Sequence, residues 1–533
     1  MPDATTRRRT SRKQSSNGSL KSFNPRTGEV MAEIPTTSPA EVKEVVERGR
    51  KVQPEWAAIA PEGRAHIMRE VRYRIYDLMD KIVDTVSAEC GKPSAEALAH
   101  DVMPPVILLT GYEQIAPRVL KSKKVGILSP PILPKLLGGA VSHIDLKPFG
   151  VVGAITPWNY PITNCFLAFA PALFAGNTVV IKPSEVTPAC GELIREILEP
   201  LPPGVAQVIQ GGGEVGAALV DAPVDKISFI GSPPTGRKIC EAASKHLTPV
   251  VMELGGKDAA IVLDDADLDI ASSGIVWGSF FNAGQTCCSI ERVYVADSIA
   301  DEFKDRMLTK LQKVEQGEQV GSLTFKNQLG IVESQVKDAL GKGAKLLAGG
   351  PDAGLKNEKG SLWYAPTVLE SVNDEMDVMK NETFGPVVTI TRVQDEAEAI
   401  RRANEEAVNL TASIWTNDSK RALKVAHELK AGNVSINQHG ENPASVWGAW
   451  GGFGESGFGR LNGEYGLREF TVPVFVQRTQ MKMKRLWWYP YDDASRTVFR
   501  STVQAFAART AGERLKGLGG VLGGAAKALK NKI

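Results

Sequence analysis

Cysteine is scarce: six occur in 533 residues, at positions 90, 165, 190, 240, 287 and 288, with no Cys-x-x-Cys pair and no histidine at zinc-ligand spacing. That excludes a disulfide-stapled secreted scaffold and a structural zinc site. No metal is therefore expected, and a reducing cytoplasm is the expected compartment. No apolar run is long enough to span a bilayer, and no apolar signal core follows the N-terminal arginines. An excess of one charge is lacking too, since 63 Lys plus Arg face 61 Asp plus Glu. Without a global basic field, a nucleic-acid partner is not expected. Internal repeats are absent.

What is there is length and apolar content. At 43% apolar, the chain can fill more than one core, and two or three lobes are expected. Residues 1–20 are basic and rich in Ser and Thr, which predicts a disordered leader, with a transit peptide as the alternative. A turn with a short strand follows from Phe23, Ser38 with Glu41 caps a helix, and helices run to about residue 115. Residues 121–146, with Pro130, Pro131, Pro134 and a Gly138-Gly139 pair, read as irregular. Residues 150–155 and 178–181 read as buried strands separated by a helix over 166–174. This alternation predicts a parallel, doubly wound sheet.

The chemistry points to residues 280–288, Phe-Phe-Asn-Ala-Gly-Gln-Thr-Cys-Cys, where a cysteine sits among small and polar residues after an apolar run. A thiol attacks as thiolate and needs such a partly open, polarising setting. Thirty-four residues before Cys287, Glu253 stands between apolar residues ahead of Gly255-Gly256, where burial would raise its pKa and suit it as a base. Further on, Gly211-Gly212-Gly213-Glu214-Val215-Gly216 spells a dinucleotide fingerprint, and Gly231-Ser232 opens a second helix after a strand over 226–230. At such a helix start backbone amides and the dipole favour an anion such as a pyrophosphate.

The stretches around Glu253 and Cys287, with Pro157-Trp158-Asn159-Tyr160-Pro161, Ile181-Lys182-Pro183-Ser184-Glu185, Phe229-Ile230-Gly231-Ser232 and Glu382-Thr383-Phe384-Gly385-Pro386, resemble in kind and order the motifs of the NAD(P)-dependent aldehyde dehydrogenase family over residues 21–485. The resemblance implies an α/β fold of two doubly wound parallel-sheet domains, cofactor-binding and catalytic, plus a small β oligomerisation arm. On that pattern residues 21–123 and 145–254 form the NAD-binding domain and 255–450 the catalytic domain. Residues 124–144 and 468–485 form the arm of a homo-oligomer, dimer or tetramer, and 486–533 a C-terminal tail. The family's chemistry implies Cys287 as nucleophile, with Cys288 as its rival, Asn159 as oxyanion donor and Glu253 as base for thioester hydrolysis. Thr156, Trp158, Lys182, Ser184, Glu185, Gly231, Ser232, Glu382 and Phe384 would bind the cofactor, and the resemblance places the pyrophosphate at the Gly231-Ser232 helix start rather than at Gly211–Gly216. The Glu185 carboxylate would repel a 2′-phosphate, so NAD is expected rather than NADP.

For the substrate, Trp158, Tyr160, Phe280, Phe281 and Trp447 are candidates for an apolar approach channel. Neither residues 162–166 nor the loop 437–450 offers an arginine to pair a carboxylate tail. An aliphatic or aromatic aldehyde is expected, with a semialdehyde of the succinic type as the alternative. A non-catalytic, membrane-associated scaffold is the alternative from another class, against which stands the full set of Asn159, Glu253 and Cys287. Two departures from the family stand out. Gly454 replaces a common lysine, and residues 289–291 are Ser-Ile-Glu where many relatives carry small residues. The tail adds an aromatic cluster, residues 486–491, and a basic segment with Val498, Phe499, Val503 and Phe506, then a glycine-rich break before Val521, Leu522 and Leu529. Such a segment either lies on an anionic membrane surface or docks its aromatics on a neighbouring subunit with the rest disordered.

Overall fold

Val151–Ile155 is apolar throughout and Thr178–Lys182 is apolar between its two end residues, the pattern of strands covered on both faces. In the computed structural model, which describes residues 18–125, 140–357, 360–441, 445–479, 484–485 and 487–530, they pair in parallel from Val151↔Thr178 to Ile155↔Lys182. Ala206–Val208 continues the sheet on one side, and Lys226–Gly231 and Val250–Leu254 on the other, all parallel. Strand order therefore reverses between Val151–Ile155 and Lys226–Gly231. A crevice opens at the carboxyl ends of strands on either side of such a reversal, and it is where doubly wound sheets bind ligands.

Gly255-Gly256 carries the chain from this sheet into a second one of seven strands, which runs Lys345–Gly350, Ala365–Glu370, Val387–Val393, Ile290–Ala296, Asp258–Val262, Thr411–Trp415, Asn433–Ile436. Its pairings are parallel except that of Lys345–Gly350. Asp258–Val262 is buried at every position, with helices on both faces forming separate apolar cores. The architecture is thus α/β with two doubly wound sheets. At the start of the helix Pro39–Ala58, Ser38 and Glu41 form the expected reciprocal cap.

The chain divides into two compact units, residues 1–120 with 147–472, and 121–146 with 473–533. The first holds both large sheets. The second holds a small sheet in the order Thr471–Thr479, Ala140–Pro148, Lys123–Val125. Two expectations need correcting here. The disordered leader was expected to reach residue 20, but Ser19–Phe23 is a strand paired with Val30–Pro35; residues 1–17 lie outside the described residues. Residues 121–146 were expected to be irregular, yet Ala140–Pro148 is the middle strand of its sheet, because every helix and strand breaker in that stretch precedes residue 140. Residues 126–139 lie outside the described residues.

The tail differs from expectation as well. Residues 493–530 form a helical hairpin, Asp493–Ala507 against Ala511–Lys530, rather than a helix with a glycine-rich break. Glycine weakens an isolated helix, but Gly517, Gly520 and Gly524 face the other helix, where a Cβ would meet Ala505, Ser501 and Val498. Close approach then lets Val498, Val521 and Ala528 form a small core. No described helix is long and apolar enough to cross a membrane. Gly517→Leu should overpack this contact at about 1–3 kcal/mol. Limited trypsin digestion should then cut at Arg509 and Arg514 roughly ten-fold faster, while the two large sheets keep their protection.

Candidate active site

The helix Leu268–Phe280 is capped by Asp267 and ends in a turn, Phe281–Gly284, that runs left-handed. Asn282, Ala283 and Gly284 have φ of 51°, 53° and 70°. A Cβ on Gly284 would strike the Gly385 carbonyl, so only glycine fits. The turn reverses the chain and delivers Cys287 and Cys288 ahead of Ile290–Ala296. The amide of Asn282 donates to Glu96 Oε1 at 3.0 Å, and its side chain donates to the carbonyls of Asn159 and Gln285, each at 3.0 Å. Gln285 Oε1 accepts from the Thr324 amide at 2.8 Å.

Asn159 follows the strand Val151–Ile155 into the crevice. Its Nδ2 donates to the Gln285 carbonyl at 3.1 Å and its Oδ1 accepts from Asn164 at 2.9 Å, so the amide is aimed at the cysteine loop. Beneath it lies a pair that the sequence did not single out. The Lys92 ammonium reaches Asp101 and the Asn159 carbonyl, both at 2.8 Å, and Asp101 accepts from the Ile162 amide at 3.1 Å. Both charges are fully buried. Only the pairing of a lysine in a Gly-Lys-Pro turn with an aspartate nine residues on hinted at it.

The Cys287 and Cys288 thiols are neighbours and interact. That interaction holds Cys288 down to about 6, aided by His439, and together with burial lifts Cys287 well above the ordinary thiol value. The pair titrates as one, releasing its first proton easily and its second with difficulty. Cys287 is half-buried and Cys288 buried. Across from them Glu253, on Val250–Leu254, is 3% exposed, and burial raises its pKa to about 8 against the pull of Trp450 and Arg460. Its Oε1 has no hydrogen-bond partner among the described residues.

Two cavities meet at these groups. A crevice of about 710 Å³ is lined by Thr156, Trp158, Lys182, Glu185, Gly231, Ser232, Glu382 and Phe384. Gly213 and Gly216 line it too, so both candidate helix starts face the same crevice. Pro233 and Pro234 deprive the Ser232 helix of two of its first amide donors, leaving the Ser232 hydroxyl and the Thr235 amide there. Ser184 does not line the crevice; its hydroxyl accepts from the Val186 amide. Lys182 pairs with Glu185 at 2.7 Å; burial would raise the Glu185 carboxyl, but Lys182 holds it below its usual value. At the opposite end Glu291 accepts from the amides of Thr383 and Phe384 at 2.9–3.0 Å and is ion-paired with Lys257. The departure noted at Glu291 thus faces the Glu382–Phe384 loop rather than the substrate. Burial, with Glu291 nearby, raises Glu382 well above its usual value.

The second cavity, about 380 Å³, shares only Asn164, Ile230, Glu253 and Cys287 with the first. Tyr160 and Phe281 line it as expected. Trp158 lines the other crevice instead, Phe280 ends its helix inside an apolar core of the seven-stranded sheet, and Trp447 is 64% exposed and lines neither. Trp277, Trp450, Met103 and Leu167, which were not singled out in the sequence, add to the apolar wall, and Glu441 brings a carboxylate to it besides Glu253. Among the described residues no lysine or arginine lines it, and burial holds His100 down to about 4, with Lys92 adding to the effect, so its imidazole is neutral. Gly454, at φ of +60°, pairs with Val408 in a conformation that would strain a lysine. Among the described residues no cluster is suited to hold a metal ion.

The aldehyde dehydrogenase family model matches residues 12–476. The chain belongs to that family. It is 36% identical over 479 residues to the 4,4'-diapolycopene aldehyde oxidase of Methylomonas sp, covering 89% of this chain and 88% of that one. It is also 36% identical over 458 residues, 84% of this chain and 86% of the other, to a Mycobacterium ulcerans (strain Agy99) protein provisionally named succinate-semialdehyde dehydrogenase [NADP(+)] 2. Among solved structures it resembles PnpE from Pseudomonas sp. WBC-3, at a TM-score of 0.81 and 30% identity over 87% of this chain and 94% of that one. It also resembles PnpE in complex with nicotinamide adenine dinucleotide, at a TM-score of 0.83 and 30% identity over 88% and 96%. As a member of the family, this enzyme is an aldehyde-oxidising oxidoreductase that uses NAD or NADP.

The raised Glu253 carboxyl has a consequence for stability. The folded state keeps its proton up to about pH 8, whereas the unfolded chain loses it near 4.5, so stability falls as pH rises through that window. Glu253→Gln should remove this penalty. In thermal melts the variant should match the wild type near pH 4.5 and gain on the order of 2–4 kcal/mol by pH 8.

Proposed function

We propose that this enzyme oxidises aldehydes carrying an apolar chain or ring to carboxylic acids, with NAD as the preferred acceptor. The meeting of an apolar cavity free of cations with the switch-point crevice at Cys287 and Glu253 carries this reading. A carboxylate tail in that cavity would be desolvated without a partner, which disfavours a succinic semialdehyde. The crevice fits a dinucleotide: Gly231 and Ser232 open a helix on its wall, Lys182 and Glu185 stand at one end, and Glu382 and Phe384 at the other. In this assignment residues 21–123 and 145–254 hold the cofactor and 255–450 supply the thiol. The exposed Val472 and Phe475 on the edge strand Thr471–Thr479 suit a subunit contact. Light scattering showing a monomer would remove that role.

Cys287, at the junction of the cavities, attacks the carbonyl carbon. Its titration is tied to that of Cys288 beside it. The oxyanion forms beside the Asn159 amide, of whose two N–H bonds one is already given to Gln285, and the Cys287 backbone N–H is the second donor. One such donor is worth roughly 3 kcal/mol in the barrier. When bound, the nicotinamide supplies the acceptor for the hydride whose departure turns the hemithioacetal into a thioester. Glu253, through its unpartnered Oε1, then takes a proton from the water that hydrolyses the thioester; a base of pKa near 8 suits that step.

The decisive assay follows reduced-nicotinamide formation with a medium-chain aldehyde, an aromatic aldehyde and succinic semialdehyde. The apolar aldehydes should lead in kcat/KM by about ten-fold or more; a lead by succinic semialdehyde would sink the substrate reading. Cys287→Ala should abolish turnover. Glu253→Gln should give one equivalent of reduced cofactor and then stall, its steady rate down roughly a hundred-fold or more. Cys288→Ala should keep turnover but shift thiol alkylation to higher pH. For the cofactor, Glu185→Ser should raise kcat/KM with NADP about ten-fold, removing some 1.4 kcal/mol of repulsion; no change would show that another group sets the preference.

A further inference from the structure

The hairpin at the end of the chain uses one apolar set inside and leaves another outside. In Asp493–Ala507, Val498 and Ala505 turn toward the second helix and are buried. Phe499, Val503 and Phe506 recur at i, i+4 and i+7 on a separate stripe and are exposed, Val503 by 65%. In Ala511–Lys530, Leu515 and Leu522 stand two turns apart on the surface while Val521 and Ala528 face inward. Each helix is thus apolar on two sides, and the hairpin satisfies only one.

The aromatics before the hairpin continue the outward stripe. Trp487, Trp488 and Tyr489 are about half exposed or more. Tyr491 joins them to it, with ring centroids 4.9 Å from Tyr489 and 6.2 Å from Phe499. Arg496 and Arg500 border the stripe one turn before Phe499 and beside it. Residues 487–533 carry eight basic against three acidic side chains, so the remainder of the chain, on a total of +2, is net acidic. Trp and Tyr beside an outward apolar stripe, edged by arginines with apolar stems and charged tips, match the layering of a lipid headgroup region. Since no described helix can cross a membrane, the matching geometry is in-plane.

We propose that residues 487–530 dock the enzyme on an anionic bilayer surface, the Phe499–Val503–Phe506 stripe lying at the acyl boundary and the arginines among the headgroups. The full chain should co-sediment with vesicles of phosphatidylcholine plus phosphatidylglycerol and far less with phosphatidylcholine alone. High salt should weaken the binding. Replacing Phe499, Val503 and Phe506 together by serine should reduce the bound fraction at least about ten-fold. Arg496→Gln with Arg500→Gln should weaken it about five-fold per arginine. Both variants should retain the helical circular dichroism and the oxidation of a water-soluble aldehyde shown by the wild type. Failure of the wild type to bind anionic vesicles would overturn the proposal, as would equal binding by the serine variant. A drop in subunit number for the serine variant without vesicle binding by the wild type would also overturn it and assign the stripe to a second copy of the chain.

Discussion

Three consecutive left-handed residues, Asn282, Ala283 and Gly284, hold the catalytic geometry together. Two of them are not glycine, and each such residue costs of order 1–3 kcal/mol. The strain persists because the surroundings over-determine the turn. Glu96 takes its first amide, Asn282 reaches the Asn159 and Gln285 carbonyls, and Thr324 pins Gln285. An ordinary helix end would let the chain drift away along the helix axis. This one folds the chain back at once, and that sets the sulfur of Cys287 where two cavities join.

Around this turn, buried charge does the work of fixing loops. Fully buried ion pairs are weak sources of net stability, but removing one partner costs about 3–5 kcal/mol. Here both buried pairs end on the backbone of a functional loop. Lys92 and Asp101 hold the carbonyl of Asn159 and the amide of Ile162. Lys257 and Glu291 hold the amides of Thr383 and Phe384. Apolar replacements of similar volume would fill the same space but leave those carbonyls and amides without partners. The pairs thus set where Asn159 and the Glu382–Phe384 loop stand.

Much of this was legible in the sequence where local pattern and chemistry coincide. Continuous apolar runs gave the buried strands, the Ser38–Glu41 spacing gave a cap, and Cys287, Glu253, Asn159, Lys182, Glu185, Glu382 and Phe384 all gather on the joined cavities. What stayed hidden depends on which way a side chain faces. Phe280 and Phe281 are neighbours in sequence, yet one packs into a core and the other lines the channel. Trp277 and Met103 come from distant helices and carry no motif. Gly517, Gly520 and Gly524 look like a break until a second helix packs against them. Lys92 and Asp101 look like surface charges because nothing local reveals their burial.

The two cavities share four residues and no more. Each therefore behaves as a separate vestibule on one reaction centre. On the proposed assignment nucleotide and aldehyde meet only at those four residues, so the spent nucleotide would have no need to wait for the acid, nor the acid for the nucleotide. On that assignment an acyl chain held on Cys287 would lie in the apolar vestibule while the other side empties. On the proposed mechanism water entering by the crevice would reach Glu253, so hydrolysis would not require the apolar chain to leave first, and the thioester would stay shielded on its apolar side.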